Sequence, residues 1–441
     1  MLTMRLTKEW RDLTAARATL LLALAAGPLV GHAFITAVES YAEASGAGGG
    51  PAALAQGLSP LDGIVVPTLG AYALLVTLLF PFVAMRAVTA EKESGALWLL
   101  LQGRASTASL VLTKFATLLF AWALLLLPGL LAMLLWSSYG GHLYAPELLT
   151  VLTGHLLRGA FTAAVAMAAA AVTDGAATAA VLTLAVTLGT WALDFMAQLK
   201  GGLAERLAAF TPDAALRQFE HGEFSMAVSA VGVIMIATLL VLTGVWWHPG
   251  RTRRARWQWT ALAMGAAVIT TAGASRIRGG ADWSEDRRNS FPRADEQALR
   301  TLAQPLEITV HLAPEDPRLA DFNRTLHKLR RTARDLRVTT VSRGQTGLFE
   351  RSAAGDRSDY GEIVYQVGAT QRMSRSTIEP VVLATIYDAA GIAPPPPLDE
   401  PAYRGWPLVT SPGLASALFY VAWPALTALC WFGARRFMRT H

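Results

Sequence analysis

Cysteine is almost missing from this chain: among 441 residues there is one, Cys430, so no internal disulfide and no cysteine-built metal cluster can form. Charge is scarce too. Only 16% of positions are Asp, Glu, Lys or Arg, against roughly a quarter in an average soluble domain. With 53% hydrophobic residues, the composition is that of a membrane protein. No GxxxxGK[ST] phosphate loop occurs, so the amides and lysine that cradle a nucleotide would have to come from another subunit. The glycine-rich run SGAGGGP at 45–51 lacks the lysine and reads as a flexible loop. There is no GxSxG elbow, and no Ser or Cys stands with a base as an activated nucleophile. The eight histidines are scattered, with His311 and His327 at no ligand-like spacing. The sequence thus argues against an enzyme and against a metal or cofactor bound by this chain.

Long apolar runs are what the sequence has in abundance. A helix needs about 20 mostly apolar residues to cross a bilayer with its amides satisfied, and eight stretches qualify: 16–38, 64–86, 115–136, 151–173, 177–198, 226–246, 257–274 and 412–432. The first run follows several charges but shows no cleavage site, so it is expected to be retained. The formal net charge is +6, yet the basic residues cluster beside apolar spans, where they set membrane orientation, and this argues against nucleic acid. HPGRTRRARW carries Arg251, Arg253, Arg254 and Arg256 without an acid, and the tail after 432 carries Arg435, Arg436 and Arg439. Placing an arginine at a helix centre costs roughly 2.5–3.5 kcal/mol on insertion scales, and short basic loops stay in the cytoplasm. Both termini are therefore expected in the cytoplasm, with the protein in a bacterial cytoplasmic (inner) membrane.

The expected architecture is an all-α polytopic membrane protein with a small α/β domain inserted before its last helix. An amphipathic arm, 1–15, with Leu6, Trp10 and Leu13 on one face, lies in the membrane interface. Residues 16–250 form six spans, 257–274 the seventh, 275–411 an extracytoplasmic domain, 412–432 the eighth span and 433–441 a basic cytoplasmic tail. In the inserted domain PLEITVHL and RVTTVS read as strands around a helix with Leu319, Phe322, Leu326 and Leu329 on one face. A hairpin, GEIVYQVGATQRMSR, and a helix opened by a Ser or Thr cap and closed at Gly391 follow. The proline-rich APPPPLDEP is a stiff linker into the last span.

One charged stretch interrupts this order. In AEKESGALWLLLQGRAS, Glu91, Lys92 and Glu93 stand directly before an apolar run. The bland reading is a solvated loop. The sharper one is a short helix whose apolar side, Leu97, Trp98, Leu100 and Leu101, stays in the interface while its acidic start, suited to a helix N-terminus, meets another protein.

EKESGALWLLLQGRASTASLVLTK resembles the segment joining the second and third spans of ABC-2 type transporter permeases, with Glu91, Glu93, Ser94, Gly95, the apolar run and Lys114 in matching places. The resemblance covers about residues 1–250 and implies a cytoplasmic coupling segment at 87–114 that docks on an ABC ATPase subunit. It assigns the coupling to Glu91, Lys92, Glu93, Gly95, Leu97, Trp98, Leu101 and Arg104, with ATP and Mg bound on the partner. It also implies a homodimer or pairing with a second permease. Residues 289–341 resemble the start of the external domain of gliding-motility auxiliary proteins of the GldG type, although VSRGQTG replaces the usual Asp-Pro and the domain is shorter. The chain would then be a permease fused to its auxiliary subunit.

Within the spans, Arg158 and Asp194 lie at similar depth and are expected to pair, as a structural ion pair before a substrate contact. The leading expectation is a permease coupled to a separate ATPase. Its rival is a non-transporting scaffold whose external domain binds an extracytoplasmic protein.

Overall fold

A computed structural model of the chain describes residues 2–44, 59–102, 106–200, 207–277, 279–313, 316–341, 360–396 and 412–440. The chain divides into two compact units, one of Met1–Asp194, Ala208–Trp283 and Tyr403–His441, the other of Phe195–Leu207 and Ser284–Ala402.

The first unit is a helical bundle. Its elements are α1 (Leu2–Ala15), α2 (Arg17–Ala44), α3 (Val66–Leu78), α4 (Phe80–Glu93), α5 (Ala96–Gln102), α6 (Thr107–Leu125), α7 (Leu127–Ser138), α8 (Ala145–Val172), α9 (Ala176–Lys200, in this unit as far as Asp194), α10 (Pro212–Glu220), β1 (Glu223–Ser225), α11 (Met226–Trp247), α12 (Arg253–Ala274) and β2 (Gly280–Asp282). The chain returns to it in α16 (Gly413–Ala417) and α17 (Trp423–Thr440), joined by a π-helical turn at Leu418–Ala422. Two passes are jointed helices. Pro81 and Pro128 sit in the first turns of α4 and α7, where a missing amide costs nothing, and the joints fall just before them.

Seven helices are long and apolar enough to cross a membrane, as a multi-pass membrane protein requires: Arg17–Ala44, Leu61–Glu93, Thr107–Ser138, Ala145–Val172, Ala176–Ala197, Met226–Trp247 and Gly413–Arg436. The expected seventh span, 257–274, is a helix, Arg253–Ala274, but falls short in apolarity because Gln258, two Trp and several Thr and Gly dilute its Val, Ile and Leu. Its course is nevertheless fixed. β1, immediately before α11, pairs antiparallel with β2, just after α12 (Glu223 with Asp282, Ser225 with Gly280). α12 therefore runs back along the whole of α11, and both have 22 residues.

The last pass lies antiparallel to the first. Trp431 Nε1 donates to Ala15 O at 3.1 Å and Trp423 Nε1 to Ala23 O at 2.8 Å. Gly27 and Gly31 make this approach possible, since a Cβ at either would fall 2.1–2.3 Å from the Trp423 and Phe419 side chains. The described start of α2 and the described end of α17 consequently lie at one end of the bundle. The bundle core joins Val30, Phe34, Val38, Tyr72, Phe80, Val88, Leu118, Trp136 and Ala166. The arm α1 is docked as well as amphipathic, with Leu13 buried and Trp10 edge-on to Phe120 at 3.8 Å between ring centroids.

The second unit carries α13 (Arg293–Arg300), β3 (Leu306–Val310), α14 (Pro317–Thr332), β4 (Leu336–Thr340), β5 (Ile363–Val367), β6 (Thr370–Ser374) and α15 (Glu379–Ala390). The sheet order is β4-β3-β5-β6, with β3 and β4 parallel and the other pairs antiparallel. Leu306, Ile308 and Val310 alternate inward to meet Phe322, Leu326 and Leu329 of α14 and Val382 and Ile386 of α15. α15 ends on left-handed Gly391, as the sequence suggests, but its N-cap is Ile378, and Ser376 Oγ accepts the Ile378 amide one step earlier.

Candidate functional site

α4 continues past the expected span end at 86 to Glu93, so the three charged residues occupy its last turn. The pass from Leu61 to Glu93 has 33 residues, about 50 Å of helix against a hydrocarbon core of about 30 Å, so it is longer than the apolar layer it could cross. Gly95 then stops the helix: its φ of +75° is left-handed, and its amide returns to Lys92 O at 3.2 Å. α5 starts at the next residue.

Each charge in the turn has a distinct partner. Glu91 Oε2 lies 2.8 Å from Lys114 Nζ on α6, and Oε1 lies 3.6 Å from Lys8 on the arm. Lys114 is fully buried and also holds Glu9 Oε1 and Oε2 at 2.9 and 3.0 Å and the Ala87 carbonyl at 3.2 Å. An unpaired buried ammonium would be very costly, which is why two carboxylates converge on it. Burial holds the Glu9 carboxyl above the usual range, Lys114 pulls it back and the Glu91 charge pushes it up again. Lys92 Nζ donates to the carbonyls of Ala170 (3.2 Å), Ala171 (3.4 Å) and Thr173, a cation closing the C-terminus of α8, with Asp174 at 3.9 Å. Glu93 Oε1 accepts from the Ala176 amide at 3.3 Å, a carboxylate at the N-terminus of α9.

Glu91 is thus turned into the bundle, not outward as the sequence reading has it, whereas Glu93 is exposed beside the start of α9. Glu91 has 15% of its side chain exposed and is turned inward to Lys114. The helix start that Glu93 complements is that of α9, not α5. On α5 itself Leu97 and Leu101 are buried against the core, whereas Trp98 is 39% and Leu99 72% exposed. Arg104 lies outside the described residues.

The pair Arg158–Asp194 is also corrected, because each ion has another partner. Arg158 Nη1 lies 2.5 Å from Asp213 Oδ1 and Nη2 donates to Thr77 Oγ1 at 2.7 Å. Asp194 takes the Arg217 guanidinium in a bidentate pair. Both new partners stand on α10, which the sequence reading missed, and their i, i+4 spacing puts them on one helical face. The signal was there: Thr211 caps the helix by accepting the Ala214 amide at 3.2 Å, and Pro212 and Asp213 open it. Buried His155 stands 4.0 Å from Glu220 and edge-on to Tyr72. Burial raises the Glu220 carboxyl, against the pull of Arg158 and Arg217, and lowers Arg217. Beside Arg158 a cavity of about 230 Å³ opens among Leu157, Phe161, Phe210, Val231 and Met235.

Neither cluster places a nucleophile against a base. Among the described residues no group of three His, Cys, Asp or Glu side chains is placed to hold a metal ion. What the first cluster can do is mechanical: it ties α1, α4, α6 and the α8–α9 corner into one rigid junction from which α5 projects. No family model, curated protein or solved structure matches the chain.

Proposed function

We propose that this chain is the permease subunit of an ATP-driven transporter of the ABC-2 type in a bacterial inner membrane, with a separate ATPase working against α5. The observation that carries the reading is the mounting of α5. A seven-residue helix with an exposed Trp98–Leu99 edge is fixed by its neighbouring turn to four other elements through Glu91, Lys92 and Glu93. A force on α5 would reach the arm, the third pass and the α8–α9 corner together, as conversion of ATPase closure into a shift of spans requires.

The charge distribution supports a cytoplasmic position for that end of the bundle. The start of α6 shares a groove with His248 and Arg251 at the end of α11, and the arginine-rich turn 251–256 follows directly. The basic end of α17 lies there also, with Trp431 bonded to Ala15. The chain leaves for its α/β unit from the opposite end, after Trp283, whose amide donates to Gly222 O. In this orientation residues 284–402 are extracytoplasmic.

The test is co-expression with any Walker-motif ATPase that a neighbouring reading frame proves to encode, followed by co-purification. Trp98→Asp with Leu99→Asp should abolish recovery of the ATPase while the permease still inserts and melts as the parent does. Undiminished recovery and transport in that variant would remove α5 from the interface.

A further inference from the structure

A second cavity, of about 220 Å³, lies between α1, the first turn of α2 and α4. Its walls combine opposite charges that do not meet. Asp12 and Arg86 both line it and both are exposed; neither side chain has an ion pair or hydrogen bond among the described residues. Glu9 and Glu91 line the same cleft, sharing one buried cation, Lys114. Thr19 adds a further demand, since its Oγ1 is shielded from solvent and has no hydrogen-bond partner, a condition rare enough in folded proteins to need an explanation. Leu13, Val83, Ala87 and Ala90 supply the apolar remainder.

The position is as informative as the chemistry. Arg86 stands about two turns before the end of α4, and α1 is the amphipathic arm, so the cleft opens at headgroup depth rather than into bulk water or acyl chains.

From this juxtaposition we propose that the cleft is a binding site for a phospholipid with a primary-ammonium headgroup, a phosphatidylethanolamine, its ammonium among Glu9, Asp12, Glu91 and Thr19 and its phosphate on Arg86. A primary ammonium has three N–H donors, which suits several carboxylate oxygens and an unfilled hydroxyl acceptor. A choline headgroup has none. A phosphatidylglycerol would satisfy Arg86 with its phosphate but offer the three carboxylates a neutral glycerol and no cation. The cleft holds about seven waters' share of liquid volume, room for the headgroup but not for the acyl chains, which stay in the bilayer. A lipid seated there bridges the arm to the second pass beside the Lys114 junction. The site does not depend on the ATPase reading.

The experiment is native mass spectrometry of the full-length protein in detergent, titrated with short-chain phosphatidylethanolamine, phosphatidylcholine and phosphatidylglycerol, and with glycerophosphoethanolamine, the headgroup without acyl chains. The expected result is one phosphatidylethanolamine held at least tenfold more tightly than the other two lipids. Asp12→Asn with Arg86→Gln should lower that affinity by about tenfold or more, the loss expected for charge-assisted hydrogen bonds. Asp12→Glu with Arg86→Lys should retain most of it. Both positions are exposed and unpaired, so lipid-free melting should match the parent in either variant. Equal retention of the three lipids, or parent-like binding by the charge-removed variant, overturns the proposal. So does equally tight binding of glycerophosphoethanolamine, which would mark a site for a soluble zwitterion.

Discussion

Lys114 Nζ on the third pass lies 2.9 Å from Glu9 Oε1 on the N-terminal arm, with both groups withdrawn from solvent. An arm that composition alone would leave lying in the interface is thereby bonded to the bundle, next to the turn that launches α5.

Removing that lysine should be among the most damaging single changes. Lys114→Met leaves Glu9 and Glu91 facing each other in a buried place, and breaking a buried pair from one side costs about 3–5 kcal/mol. A melt in nanodiscs should show the loss, and Lys114→Met with Glu91→Gln should recover part of it. Glu91→Lys is expected to fail for the same reason, by setting a third cation beside Lys8 and Lys114, so its loss of ATPase recovery would report folding rather than docking.

Arg158→Asp should lose folded protein through repulsion from Asp213, which it now pairs at 2.5 Å. Asp213→Arg added to it should restore expression and melting. Asp194→Arg should not, because Asp194 belongs to Arg217. Rescue by Asp194→Arg alone would mean the two pairs are wrongly assigned.

Gly95→Ala puts a Cβ at a φ of +75° with no neighbouring atom within 4 Å. The penalty is therefore conformational, roughly 1–2 kcal/mol, and under the proposed function it should be read more in coupling than in stability: stimulation of the partner ATPase falls while the chain still inserts.

In the α/β unit Asp316 caps α14, accepting the Arg318 amide at 3.0 Å, the Arg318 guanidinium at 2.7 Å and Tyr360 OH at 3.0 Å. Its hydrogen bonds to Arg318, foremost among the causes, hold its carboxyl down at about 2 from an ordinary 3.8. A carboxyl lowered by folding contributes stability that is fully present above 3.8 and is lost as pH falls toward 2. Protection of the α14 amides, taken relative to their intrinsic exchange rate at each pH, should therefore fall over that window in the parent and be nearly flat in Asp316→Asn. An equal fall in both would show that other carboxyls dominate.

How much was legible in the sequence depended on whether the signal was local. Apolar length marked the seven strongest passes, and period-two and helical patterns marked β3, β4, β5, β6, α14 and α15, because each needs only its own residues. The capped start of α10 was local too, yet its nine residues are too short for apolar length to reveal. Partners were not legible. Arg158 and Asp194 matched in depth, but Asp213 and Arg217 arrive from a segment with no apolar run. The acidic turn was visible as a feature, whereas its inward direction depended on a lysine 23 residues later that burial makes expensive to leave alone. α12 shows the reverse case: the sequence marks it as a span, its apolarity falls short of one, and the β1–β2 ladder fixes only its course beside α11.

The central claim is that a partner ATPase works against α5. With Cys430 replaced by serine the chain has no thiol, so Trp98→Cys introduces a single reactive position on the exposed edge of that helix. Thiol-specific cross-linking in membranes that also contain the proposed ATPase partner should then give one adduct between this chain and that ATPase, while Leu134→Cys, on an exposed site of the third pass, gives none. No adduct from Trp98→Cys, with the two proteins otherwise recovered as a complex, would contradict the account.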